Sequence, residues 1–218
     1  MTEPATAGHD YIVPVGTPLH RVHRDRPGAI AWFDTSEHGR FNLTDVTDRG
    51  TCYLALDPLG AYIETLGRIL TRSRDDINAR RHSTVAVDRD LRLFDLTRSE
   101  ARAAYRSAGL DHTATIRAGD DYEAPQRLAR LFHDDDYDGI LYTARHDPGH
   151  AHRSIARFGR AGPNDTDVVF DSCETDTIGN DLIDAGRATF GIVVLAYPIS
   201  EHANDEGSSR WRSDAGVG

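Results

Sequence analysis

The chain has 218 residues, a net charge of −10, 39% hydrophobic residues and 28% charged residues. This length and composition predict one globular domain over residues 17–200, with a loose leader at 1–16 and a disordered tail at 201–218. They disfavour a membrane span, which needs roughly 18–20 consecutive apolar residues. They also disfavour a general nucleic-acid-binding surface, which needs positive charge to hold phosphates.

The first part of the chain is predicted to alternate strands with one helix. Residues 17–24 and 51–56 read as strands, and residues 28–34 as a strand or an extended loop. Asp57 followed by Pro58 favours a helix start, because aspartate caps helices and proline is tolerated at the first helical position. Apolar residues at helical spacing then give this helix one buried face, made of Leu59, Tyr62, Ile63, Leu66, Ile69 and Leu70.

The rest of the chain is predicted to contain further strands and helices. Residues 83–87 and 91–96 flank a short turn and predict a hairpin. Thr97 and Glu100 match a capping box, which predicts a helix over 98–108. Another helix is expected from about 123 to 133. The remaining elements are strands at 139–144, 154–159, 167–172 and 190–198, with a helix over 177–187.

These elements do not alternate as regular strand–helix–strand units. We therefore expect an α+β domain, with mixed or antiparallel strands and flanking helices.

Glu64 lies on the helix that follows Asp57, between Gly60 and Gly67. Residues four positions before and three positions after a helical residue lie beside it on the same face. A glycine inside a helix costs about 1 kcal/mol relative to alanine. Either another part of the chain packs closely against this face, or a ligand occupies the space next to the Glu64 carboxylate.

All 25 basic residues are arginine. The absence of lysine excludes lysine Schiff-base chemistry and a Walker-type phosphate lysine. Any phosphate held by a side chain would be held mainly by arginine, which binds it in bidentate fashion. Arg21 and Arg40 precede Glu64 in the chain, and Tyr53 lies in the strand that leads into its helix.

The order of these segments resembles the RES domain family, the toxin half of a common bacterial toxin–antitoxin pair. The resemblance covers about residues 17–160. One residue departs from the pattern, because Thr143 stands where the family has serine. The matching segments are "LHRV" with Arg21, "GRFN" with Arg40, "CYLAL" with Tyr53, "AYIETLG" with Glu64, "LYTAR" with Thr143 and "SIARF" ending at Phe158.

The resemblance implies an ADP-ribosyltransferase-like fold and NAD as the substrate. The chain would cleave the nicotinamide–ribose bond by phosphorolysis, with inorganic phosphate as co-substrate, or by hydrolysis. A helix-turn-helix antitoxin would be its partner. The expected assembly is a toxin–antitoxin complex or a homodimer. Two alternatives remain open: a protein ADP-ribosyltransferase on the same fold, or a non-catalytic domain that binds a nucleotide or a partner.

The resemblance also suggests roles for individual residues. Glu64 would stabilise positive charge on the ribose, while Arg21 and Arg40 would grip the pyrophosphate or the attacking phosphate. Tyr53 would pack on the nicotinamide or the ribose. Thr143 would hydrogen-bond the nicotinamide side or help to place phosphate.

The remaining candidates for chemistry are cysteines and histidines. Cys52 and Cys173 are too few for a disulfide framework or a zinc knuckle, so a reducing cytoplasm is the expected compartment. His146, His150 and His152 form a cluster whose spacing matches no common metal site. We therefore expect no bound metal. A polar loop is the favoured interpretation of these histidines, and the alternative is a role beside the pocket, where Arg145 would also meet phosphate.

Overall fold

A mixed eight-stranded sheet dominates the architecture, and five helices accompany it in the residues that the structure describes. This structure is a computed structural model, and it describes residues 9–99 and 122–196. The predicted α+β class is confirmed. The helix predicted for 98–108 and the tail predicted for 201–218 lie almost wholly or wholly outside the described residues.

The described strands are mostly short. They are β1 (Asp10–Val13), β2 (Pro18–Arg24), β3 (Trp32–Phe33), β4 (Arg49–Ala55), β5 (Thr71–Ser73), β6 (Arg80–Val87), β7 (Leu91–Asp95), β8 (Gly139–Thr143), β9 (Arg153–Arg160), β10 (Gly162–Pro163), β11 (Phe170–Thr177) and β12 (Val193–Leu195). The described helices are α1 (Pro58–Leu66), α2 (Arg74–Asn78), α3 (Glu123–Asp134), α4 (Thr166–Val169) and α5 (Asn180–Phe190).

The main sheet has the strand order β1-β7-β8-β9-β4-β2-β6-β11. Its neighbours are antiparallel except for β7 and β8, which run parallel. Side chains of β6 and β7, which are far apart in this order, meet in one hydrophobic cluster that includes Val85 and Leu93. The sheet is therefore curled around its largest core cluster. No described helix is long and apolar enough to cross a bilayer.

The predicted hairpin of residues 83–87 and 91–96 is wrong. Strand β6 pairs with β2 and β11, whereas β7 pairs with β1 and β8. The acidic side chains of the intervening turn bond to other parts of the chain. Asp88 accepts from Arg157, and Asp90 accepts from the backbone N–H of Val15. These long-range contacts hold β6 and β7 apart.

Three other predictions need correction in detail. Part of the expected loose leader is ordered, because β1 pairs along the edge of the sheet with β7. The strand predicted for 167–172 begins only at Phe170, since Asp165 caps the short helix α4 before it. Of the strand predicted for 190–198, residues 197–198 lie outside the described part of the chain, and within the described part only β12 is a strand, which pairs with β5 in a separate two-stranded sheet.

Helix α1 begins where the sequence predicts, because the Asp57 side chain accepts the backbone N–H of Gly60. It buries Tyr62, Ile63 and Leu66. The predicted face extends too far, because Ile69 and Leu70 lie beyond the helix and are each 54% exposed. Strand β4 leads directly into α1, so the position of Glu64 is set by the sheet.

Gly186 on α5 sets the distance between α5 and α1. A Cβ at this position would lie 2.4 Å from Cε1 of the buried Tyr62 ring. We expect Gly186→Ala to lower the free energy of unfolding by about 2 kcal/mol, because overpacking forces the ring or the helix to shift. Urea denaturation checks this. Gly149→Ala is the control, since its nearest contact would be an ordinary 3.5 Å, and it should change stability little.

Candidate active site

A cavity of about 350 Å³ opens where β2 and β4 separate. These strands are neighbours in the sheet, yet only one pair of residues is in register, His20 with Ala55. Helix α1 follows β4 and closes one side, where the Thr65 hydroxyl donates to the carbonyl of Val22 at 3.0 Å. The residues that line the cavity include Arg21, Arg40, Tyr53, Glu64, Arg68, Tyr122, Arg145 and His146.

Both oxygens of the Glu64 carboxylate are held in place. The Tyr142 hydroxyl donates to Oε1 at 3.0 Å, and the backbone N–H of Arg145 donates to Oε2 at 3.2 Å. The donors come from β8 and from the loop after it, whereas Glu64 comes from α1. The carboxylate is therefore fixed from two sides in the cavity wall, as an electrostatic catalyst requires.

Tyr142 is a residue of the candidate site that the sequence did not predict. Its side chain is 2% exposed, and burial, together with the charge of Glu64, raises its pKa well above the usual value. The hydroxyl therefore stays protonated and acts as a donor to Glu64. Strand alternation was the available signal, because Ile140 and Tyr142 share one face of β8 and one core cluster.

Arginine side chains make the cavity strongly positive around this single carboxylate. The guanidinium carbon of Arg40 lies 4.6 Å from the ring centroids of both Phe41 and Tyr142. Arg145 Nη1 donates to the Tyr122 hydroxyl at 2.9 Å. Arg68 follows the end of α1 and lines the same space. Cations at this density suit an anionic ligand such as a phosphate.

Arg21 reaches the cavity from β2, but part of its guanidinium is committed to the protein. Its Nη1 donates to the carbonyl oxygens of Ile30 and Trp32 at 2.8 and 3.3 Å and contacts the Cys52 sulfur. Cys52 is fully buried, and burial raises the pKa of its thiol. The Arg21 side chain therefore ties the loop before β3 to the cavity wall.

Tyr53 lines the cavity with its ring and organises the segment that carries Arg40. Its hydroxyl accepts the backbone N–H of Phe41 at 2.8 Å and donates to Oδ1 of Asn42 at 2.9 Å. Burial raises the pKa of Tyr53, so the hydroxyl stays protonated. Through these bonds β4 holds the "GRFN" segment over the cavity.

Thr143 does not line the cavity. It is the last residue of β8, where it pairs with Arg153. Successive strand side chains point to opposite faces, so the pleat that turns Tyr142 toward Glu64 turns Thr143 away from it. The hydroxyl that contacts Glu64 is that of Tyr142, one position earlier in the chain.

The two glycines around Glu64 are explained by close packing. A Cβ at Gly60 would lie 3.2 Å from the Ala55 Cβ, and one at Gly67 would lie 2.6 Å from the His146 Cβ. Protein atoms, rather than space for a ligand, therefore occupy the positions next to these glycines. The resemblance to the RES family favours a ligand beside both glycines, and the structure corrects this prediction: the two glycines accommodate protein atoms, while Glu64 itself faces the cavity.

The loop after β8 is folded around the Asp147 carboxylate. This carboxylate, 3% exposed, accepts backbone N–H groups of Gly149, Ala151 and His152 at 2.9, 2.6 and 2.8 Å. Burial alone would raise the pKa of Asp147, but these hydrogen bonds outweigh it and hold the pKa below its usual value. The loop thereby presents the Arg145 N–H and the His146 side chain to the cavity.

The three histidines of this loop point in different directions. His146 lines the cavity, His150 is exposed, and Nδ1 of His152 lies 2.8 Å from the Asp57 carboxylate at the start of α1. Over residues 9–99 and 122–196, no three histidine, cysteine or acidic side chains are grouped so as to hold a metal ion.

A second cavity, of about 410 Å³, lies beside the loop of residues 25–30. Its polar groups are already engaged by the protein. Both ring nitrogens of His23 are hydrogen-bonded, Asp25 pairs with Arg81, and Arg26 stacks on Trp32. The cavity at Glu64 is therefore the better candidate for chemistry.

Comparison with known proteins gives one result that agrees with this geometry. No curated protein matches the chain. The sequence model of the RES domain matches residues 18–178. That range begins with β2, which carries Arg21, and ends just after β11, so it contains every residue of the cavity described above. With most of its length matched, the chain belongs to the RES domain family.

Proposed function

We propose that the chain is an NAD-degrading enzyme that cleaves the nicotinamide–ribose bond by phosphorolysis, with hydrolysis as a close variant. The observation that carries this proposal is the Glu64 carboxylate, held at both oxygens in the wall of a cavity rich in arginine. Family membership supports a link to NAD and to a toxin–antitoxin pair, because the RES toxins that the sequence resembles degrade NAD.

The chemistry of NAD suits a single fixed carboxylate. Nicotinamide leaves as a neutral molecule from a cationic ring, so the leaving group needs no proton from a general acid. The barrier lies in the positive charge that develops on the ribose as the bond breaks. A carboxylate fixed beside that ribose stabilises the charge without reorganising during the reaction.

The arginines would hold the phosphates. Arg40, Arg68 and Arg145 line the same cavity as Glu64, and Arg68 follows the end of α1, the helix that carries Glu64. Such guanidinium groups bind the pyrophosphate of NAD or an incoming phosphate through charge-assisted hydrogen bonds. Tyr53 and Tyr122 offer aromatic surfaces in the same space for the nicotinamide or the ribose.

The direct test is to incubate the purified chain with NAD, with and without millimolar phosphate. Nicotinamide and the ribose product are followed by chromatography. Phosphate-dependent release of nicotinamide with a phosphorylated ribose product is the expected result. Release that does not respond to phosphate would indicate the hydrolytic variant.

Intact NAD under both conditions would contradict the proposal. Nicotinamide release that requires an added protein, together with ADP-ribose on that protein, would instead identify a protein ADP-ribosyltransferase. Binding of NAD without release would identify a non-catalytic domain.

Tyr142→Phe is expected to lower kcat for NAD loss about 10-fold. The variant removes only the hydroxyl that donates to Glu64 Oε1, which leaves the carboxylate held by the Arg145 N–H alone. One hydrogen bond to a charged group contributes about 1.5–3 kcal/mol, of which part is realised in the transition state. Tyr11→Phe, on the distant edge strand β1, is the control and should keep full activity.

A further inference from the structure

The ring nitrogens of His146 are available to bind a ligand. It is half-buried and lines the cavity, yet neither nitrogen has a hydrogen-bond partner among the described residues. Three other half-buried or buried histidines are bonded, whereas Nε2 of His82 on β6 also lacks a partner among the described residues but does not line the cavity. Both nitrogens of His23 are bonded, Nδ1 of His20 contacts Thr84, and Nδ1 of His152 contacts Asp57.

The backbone is built to bring His146 close to the helix of Glu64. Gly67 ends α1, and its missing side chain leaves room for the His146 Cβ, which would otherwise be 2.6 Å from a Cβ at position 67. The Asp147 carboxylate, next in the chain, holds the loop from the other side. The position of His146 is therefore set by the packing at Gly67 and by the loop hydrogen bonds of Asp147.

The charges around His146 favour its neutral form. Burial lowers the pKa of His146, the nearby guanidinium groups of Arg145, Arg40 and Arg68 lower it further, and only Glu64 acts in the opposite direction. The other ionisable side chains that line the cavity are those of Arg21, the exposed His38, Tyr53 and Tyr122. Burial keeps the hydroxyls of Tyr53 and of the neighbouring Tyr142 protonated, because it raises the pKa of both. At neutral pH the ring thus carries one nitrogen that can accept a proton, beside a cluster of cations suited to an anion.

We propose that His146 binds the attacking nucleophile and acts as its general base. This inference rests on the proposed NAD cleavage. As the bond between ribose C1″ and nicotinamide breaks, its electron pair leaves with nicotinamide, and an oxygen of dihydrogen phosphate or water bonds to C1″. The proton of that nucleophile passes to the free ring nitrogen of His146. Glu64 stabilises the positive charge on the ribose, whereas His146 binds the phosphate or water and accepts its proton.

The test compares His146→Gln with the unaltered chain over a range of pH, with NAD and with phosphate either present or absent. General-base assistance contributes about 100-fold to 10,000-fold in favourable cases, so we expect kcat to fall about 100-fold. The KM for NAD should change less than about threefold, since other residues bind NAD. The acidic limb of the native pH profile, caused by protonation of His146 below pH 6.5, should disappear in His146→Gln.

Two further variants separate chemistry from folding. Free imidazole should restore part of the activity of His146→Ala, which a merely structural role would not allow. His150→Asn, in the same loop but exposed, should behave like the unaltered chain. If phosphate-dependent release alone is impaired, the base serves phosphate; if both reactions are impaired, it serves either nucleophile.

An active native chain whose His146→Gln variant keeps its kcat and its acidic limb would overturn this inference and leave the proposed function intact. A native chain that releases no nicotinamide would overturn both. The same experiment therefore distinguishes failure of the His146 inference from failure of the proposed NAD cleavage.

Discussion

Glu64→Gln is expected to lower kcat/KM for NAD cleavage at least about 1000-fold, equivalent to about 4 kcal/mol of transition-state stabilisation. Glutamine has the same shape but no charge, so it cannot stabilise a developing ribosyl cation. Its amide oxygen can accept from only one of the two donors that now hold the carboxylate, the Tyr142 hydroxyl or the Arg145 N–H, and its NH2 group then faces the other. Nicotinamide release under saturating and limiting NAD measures the effect.

Folding must be shown to be unaffected for this result to be informative. Circular dichroism and thermal unfolding of Glu64→Gln should match those of the unaltered chain. Glu174→Gln is the matched control, because Glu174 is an exposed carboxylate on β11 outside the cavity, and it should keep full activity. A Glu64→Gln protein that still consumes NAD at the native rate would remove Glu64 from the mechanism.

Asp147→Asn is expected to destabilise the chain by about 3 kcal/mol at pH 7. Hydrogen bonds to charged groups contribute about 1.5–3 kcal/mol each, and the buried Asp147 carboxylate accepts three. The expected loss is smaller than the sum of three such bonds, because asparagine keeps one acceptor oxygen and because Gly149 and Ala151 are exposed, so water can replace part of the loss. Activity should fall as well, since this loop presents Arg145 and His146. Urea denaturation measures the stability.

The destabilisation caused by Asp147→Asn should decrease as the pH is lowered. The pKa of Asp147 is depressed in the folded chain, so its contribution is fully present above the unfolded pKa of about 4 and is lost as pH falls through the lower folded value. The stability difference between the two proteins should therefore be largest near neutrality and shrink in acid. Asp135→Asn, an exposed carboxylate, is the control and should stay within about 0.5 kcal/mol at every pH. A difference that is constant with pH would argue against a charged Asp147.

Local sequence signals predicted the elements better than their pairing. Asp57 and Pro58 marked the start of α1 correctly, because a cap is formed by residues three positions apart in the chain. The failed hairpin of β6 and β7 shows the opposite case. Which strands become neighbours depends on contacts such as Asp88 with Arg157, which are 69 positions apart and leave no local signal.

At the candidate site, too, the sequence predicted which residues take part better than it predicted how they are arranged in space. The series that resembles the RES family located Glu64, Arg40 and Tyr53, all of which line the cavity. It also favoured Thr143, because a motif gives a residue's place in the chain but not the face of the strand on which its side chain lies. The contribution of His146 depends on the approach of two separate segments at Gly67, which only the folded chain reveals.

The parallel pairing of β7 and β8 has a consequence for how this site can diversify. Parallel neighbours cannot be joined by a tight turn, so the chain connects them through a crossover, of which residues 96–99 and 122–138 are described. That crossover supplies Tyr122, the partner of Arg145 in the cavity wall, whereas Glu64 is mounted on α1 directly after β4. Under the proposed function, changes in residues 122–138 would alter the cavity wall at Tyr122, whereas the Glu64 carboxylate would keep its place on α1. Substrate selection and reactivity would then rest on separate parts of the chain.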